Sequence, residues 1–108
     1  MQAVSIGPEV DGTLTISLRG EVDFTNAEGA AAVIRGALAE RHPRAVCVDV
    51  AEVSFLDSSG IGVLVNAMQA AEDISAGFRV ENPRYKIFDQ LRMSGLLDSF
   101  GLAEAPPG

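Results

Sequence analysis

The residues of this chain best placed to do chemistry are Asp57, Ser58 and Ser59, in the stretch "FLDSSGIG" at positions 55–62. An apolar run ends there in an acid, two hydroxyls and two glycines, and a helical pattern then takes over. Three uses fit such a stretch. As a plain helix start, Asp57 or Ser58 would accept bonds from the helix's free amides. One cap accounts for neither the second serine nor Gly60 and Gly62, because glycine in a helix interior costs about 1 kcal/mol against alanine. As a nucleophile elbow, Ser58 needs a glycine two residues before it and two after. Gly60 meets the second condition, but Leu56 stands at the first. The base would have to be His42, the single histidine, in a predicted turn at the opposite edge of the sheet.

The third use is a serine displayed for modification or docking. Glycines leave a bare surface around the hydroxyl, and a phosphoryl group at a helix amino terminus meets free amides and the positive end of the dipole. It also adds roughly −1.5 to −2 charge, enough to repel a partner that fits the neutral form.

Local patterns define the elements that must position these residues. Val4 and Ile6 alternate with Ser5, "DG" at 11–12 signals a tight turn, and Leu14, Ile16 and Leu18 keep strict period two, which predicts a hairpin. "TNAE" at 25–28 matches a capping box, with Thr25 as cap and Glu28 reaching back. The stripe Ala27, Ala30, Ala31, Ile34 and Leu38 then predicts a helix to about residue 40. "AVCVDV" is a third strand with Val46, Val48 and Val50 on one face. Ile61, Leu64, Val65, Met68 and Ala71 mark a second helix, and "FRVE" a short fourth strand. Asn82 and Pro83 predict the start of a third helix with Ile87, Phe88 and Leu91 inward, stopped at Gly95.

The order β-β-α-β-α-β-α implies an α/β domain with a mixed, mostly parallel four-stranded sheet and helices mainly on one face. The carboxyl ends of strands two and three then share one edge, where α/β proteins place their sites. Asp23, after strand two, should therefore neighbour Asp57 and Ser58. With 108 residues, 47% of them hydrophobic, the chain reads as one domain over 1–108, with a core at about 3–102 and a frayed tail at 103–108.

Charge and composition narrow the partners. Fifteen acids against eight Lys and Arg give a net charge of −7, which argues against nucleic acid and anionic membranes. The lone Cys47 lies inside an apolar strand and reads as a buried thiol. One cysteine and one histidine are too few for a zinc site of the usual type, and neither metal nor cofactor is expected. The amino terminus lacks the pattern of a signal peptide, and no apolar run reaches the length of a membrane span, so the expected location is the cytoplasm.

"VDVAEVSFLDSSGIGVLV" resembles the signature of STAS domains, specifically of stand-alone bacterial anti-sigma factor antagonists. "LRGEVDFTNA" resembles the family's strand-loop-helix opening, and "FRVENPRYKIFDQLRMSGLLDSF" its closing strand and helix. The resemblance implies a binding module and kinase substrate rather than an enzyme. Ser58, following the aspartate, would accept phosphate from a partner anti-sigma factor that is a serine kinase. The unphosphorylated form would bind that kinase and free its sigma factor, and a serine phosphatase would restore it. Asp23 matches an acid that the family keeps beside the acceptor. The expected partner surface comprises Asp23, Asp57, Ser58, Ser59, Gly60 and Gly62. Other roles on the same fold are a subunit of a stressosome or of a lipid-transport complex, and a different class would be a small serine hydrolase using Ser58.

Overall fold

The computed structural model describes residues 3–102, so the expectation of a frayed tail at 103–108 lies outside the described residues. Strands β1 (Val4–Val10) and β2 (Thr13–Val22) are followed by helix α1 (Ala27–Arg41), β3 (Ala45–Leu56), α2 (Ser58–Asp73), β4 (Gly77–Glu81) and α3 (Tyr85–Met93). The sheet order is β1-β2-β3-β4, with β1 antiparallel to β2 and the other pairs parallel. This is the topology expected from the sequence.

Asp11 and Gly12 both take positive φ, 53° and 83°, which is the two-residue turn that suits the twist of a hairpin. Leu14, Ile16 and Leu18 of β2, Val46, Val48 and Val50 of β3, and Val80 of β4 are buried in one core. Ala30, Ala31, Ile34 and Leu38 of α1 and Ile87 and Leu91 of α3 are buried as well. Gly95, at φ 73°, ends α3 as expected: its amide donates to Arg92 O and the next amide, of Leu96, to Leu91 O. The buried Cys47 thiol is pushed up to about 12, first by burial and then by Glu81 beside it, and it stays protonated at neutral pH.

β3 runs further than its valine alternation indicates, and the extra length bears on the site. Its register against β2 shifts twice, once between Ser17 and Arg19 and once between Gly20 and Glu21. At each shift β3 carries one residue more than β2, so these are β-bulges. They break the period of two yet return Val53 and Leu56 to the core, both essentially fully buried. The strand thus reaches the serines with its apolar face still inward.

Three local expectations are corrected. Thr25 does not cap α1. Its hydroxyl and amide both donate to Asp23 Oδ1, at 2.5 and 2.9 Å, and the helix starts one residue later, after Asn26. Glu28 points to Arg35 at 3.9 Å instead of back to a cap. Asn82 does not cap α3 either. It turns left-handed to leave β4, with φ 62°, and the helix begins after Arg84. In α2 the buried stripe is Gly60, Val63, Leu64, Ala67 and Ala71, with Ile61, Val65 and Met68 only half-buried. Glycine sets that rotation, because Gly60 lets this side of the helix approach the sheet most closely.

Candidate functional site

Asp57 organises the site. It is the N-cap of α2, in extended conformation, and its Oδ1 accepts the Gly60 amide at 2.9 Å. Its Oδ2 accepts the Phe24 amide at 3.1 Å. Its own amide donates to Val22 O at 3.4 Å. Residues 22 and 24 flank Asp23, so the ends of β2 and β3 meet at one edge, as the topology requires. The cap reading was therefore right for Asp57, and it leaves Ser58 free of that duty.

Ser58 is the first residue of α2 and is exposed, and its hydroxyl has no hydrogen-bond partner among the described residues. The cap takes the Gly60 amide, and the Ile61 amide donates to Asp57 O at 3.0 Å. An unengaged hydroxyl thus stands at the positive end of a 16-residue helix. Ser59 is half-buried and faces a groove between α1 and α2. Gln90 of α3 donates to Leu56 O at 2.7 Å and anchors the strand end that feeds the cap.

Asp23 is half-buried in a turn of its own. Its Oδ1 accepts from Thr25 twice, and Asn26 Oδ1 accepts the Asp23 amide at 3.0 Å. The amides of Asn26 and Ala27 donate to Asp23 O, so the same residue leads the chain into α1. The Thr25 hydroxyl, followed by the Thr25 amide, holds the Asp23 carboxyl below its ordinary range.

The two glycines of "SSGIG" have different roles. A β-carbon on Gly60 would lie 2.1 Å from Val22 O and 2.9 Å from Leu56 Cδ2. Gly60 is buried and exists for helix-sheet approach, which corrects its expected place on a bare contact surface. A β-carbon on Gly62 would meet nothing within 4 Å, and this glycine does lie open. With Ser59, Phe24, Ala27 and Ala31 it lines the groove, which has a volume of about 320 Å³.

Phe24 is the residue that sequence reasoning missed. It is 77% exposed, and its amide is bound by the acid that caps α2. The available signal was its place in "VDFT", an aromatic in a loop outside any period. The hydrolase reading fails on geometry. His42 precedes β3 and Ser58 follows it, and a 12-residue strand at about 3.3 Å per residue separates them by roughly 35 Å. Among the described residues no cluster of His, Cys, Asp or Glu could hold a metal ion, and no helix is long and apolar enough to cross a membrane.

Comparison with known proteins agrees with this architecture. The STAS domain family model matches residues 7–106. An anti-sigma factor antagonist from Mycobacterium paratuberculosis superposes with a TM-score of 0.77 at 25% identity, over 94% of this chain and 86% of that one. The Bacillus cell fate determinant SpoIIAA in its phosphorylated form gives a TM-score of 0.72 at 25% identity, over 96% and 92%. The murine anion transporter Slc26a9 shares the fold alone, with a TM-score of 0.67 at 18% identity over 87% of this chain and 16% of the transporter. Comparison with curated protein sequences finds no match. A match over nearly the whole chain, together with an α2 that starts at the serines on the shared edge of β2 and β3, means that this chain belongs to the STAS domain family.

Proposed function

We propose that this chain is an anti-sigma factor antagonist switched by phosphorylation of Ser58. The observation that carries the reading is the free, exposed hydroxyl of Ser58 one residue past a cap supplied by Asp57. Its likeness to antagonists, one of them described in a phosphorylated form, supports it.

In this reading a partner anti-sigma factor binds the unmodified surface formed by Asp23, Asp57, Ser58, Ser59 and Gly62, with Gly60 packed beneath it. The partner is also a serine kinase. Ser58 Oγ attacks the γ-phosphorus of its ATP, the bond to the bridging oxygen breaks, ADP leaves, and the hydroxyl proton passes to a base on the kinase. The phosphate adds roughly −1.5 to −2 charge beside Asp57 and Asp23, and the same partner no longer fits. Hydrolysis by a serine phosphatase returns the hydroxyl. The chain itself supplies no catalysis in this cycle and works in the cytoplasm.

Incubation with the anti-sigma factor kinase and ATP, followed by mass spectrometry, tests the acceptor. One phosphate on Ser58, abolished in Ser58→Ala, is expected. A phosphate on Ser59, Ser94 or Ser99 overturns the assignment.

A further inference from the structure

The loop after β2 displays a side chain that phosphorylation leaves unused. Burying a phenylalanine is favourable, yet Phe24 is 77% exposed. Single exposed apolar residues are ordinary. Three observations set this one apart.

First, its backbone is fixed on both sides. The Phe24 amide is held by Asp57 Oδ2, the preceding carboxylate binds Thr25 twice, and Asn26 reaches back to the Asp23 amide and to Glu21 O at 2.8 Å. A ring on an ordered loop loses little entropy when a partner covers it. Second, the ring borders the groove formed with Ala27, Ala31, Gly62 and Val63, next to Ser59. Third, it has acidic neighbours on a chain with net charge −7: Asp23 precedes it, Asp57 accepts its amide, and Glu28 lines the same groove. A second copy of this chain would set those acids against themselves. The occupant that fits is a protein surface with an apolar pocket rimmed by Lys and Arg.

We propose that Phe24 is the apolar anchor by which the anti-sigma factor kinase docks, its ring entering such a basic-rimmed pocket. This rests on the proposed function and names the residue that carries its affinity. Buried aromatics at the centre of an interface commonly dominate binding energy. The bond from Asp57 to the Phe24 amide also ties the anchor to the residue next to the phosphoacceptor, so a phosphate on Ser58 acts at the anchor's own support.

The test is calorimetric titration of the wild-type chain, Phe24→Ala and Phe24→Leu with the purified kinase that phosphorylates Ser58, at two salt concentrations. Phe24→Ala should bind at least tenfold more weakly with a melting temperature within about two degrees of wild type, as expected for an exposed side chain. Phe24→Leu should recover most of the affinity, and added salt should weaken wild-type binding. Phe24→Ala binding within about twofold of wild type overturns the anchor, as does affinity that rises with salt. Those results leave the phosphorylation reading standing if Ser58 is still modified. Failure of any anti-sigma factor kinase to modify Ser58 overturns both.

Discussion

The Asp57 carboxylate joins two loops 33 residues apart, capping α2 through Gly60 with one oxygen and accepting the Phe24 amide with the other. One side chain therefore fixes both the helix that presents Ser58 and the turn that presents Asp23. Asp57→Ala should lose a cap worth about 0.5–2 kcal/mol and expose the Phe24 amide to faster hydrogen exchange. Asp57→Asn retains one acceptor oxygen and should lie between. Unchanged exchange at Phe24 in Asp57→Ala would show that the bridge does not hold the loop.

Gly60 and Gly62 should respond oppositely to a methyl group. Gly60→Ala forces a β-carbon onto the backbone oxygen of Val22, which no rotamer relieves. A loss of about 1–3 kcal/mol, the usual range for overpacking, is expected in chemical denaturation. Gly62→Ala has open space and gains helix propensity, so it should be neutral or more stable by up to about 1 kcal/mol. Similar destabilisation of both variants would contradict the packing assigned to α2.

Asp23 supplies a pH signature. Thr25 lowers its carboxyl pKa from the ordinary 3.8, so its contribution to stability is present above that value and is lost as pH falls through the lowered one. The carboxyl carbon followed by NMR should titrate below 3.8, and Thr25→Val should move the midpoint up. Asp23→Ala should keep the melting temperature within a few degrees, because the Asp23 carbonyl still receives Asn26 and Ala27, while Ser58 phosphorylation slows. A collapse in stability with normal phosphorylation of the folded fraction would assign Asp23 to structure alone.

The topology and the meeting of Asp23 with Asp57 were legible in the sequence, because the core valines and leucines keep period two and the crossovers have one hand. The register of β3 beyond Val50 was not. Its bulges place Val53 and Leu56 three residues apart, a spacing that alternation does not report. The capping box at Thr25 failed because a local pattern cannot show that Asp23 competes for the same hydroxyl. Gly60 was misread for a related reason. A glycine that allows close approach and one that leaves a surface bare look alike until the neighbouring Val22 carbonyl is in place. Phe24 carried no periodic signal, and its significance depends on a hydrogen bond from a distant aspartate.

In the proposed cycle a phosphate on Ser58 switches partner binding locally, at an exposed residue, without refolding the domain. Titration calorimetry of the anti-sigma factor kinase with the unmodified chain, Ser58→Glu and the Ser58-phosphorylated chain measures this most directly. All three should melt alike. Ser58→Glu should bind much more weakly than the unmodified chain, and the phosphoprotein more weakly still, by on the order of a hundredfold, since about 1.4 kcal/mol is tenfold in affinity and loss of a central contact costs a few kcal/mol. Equal affinity across the three would contradict a switch at Ser58 and leave "FLDSSGIG" as a helix start alone.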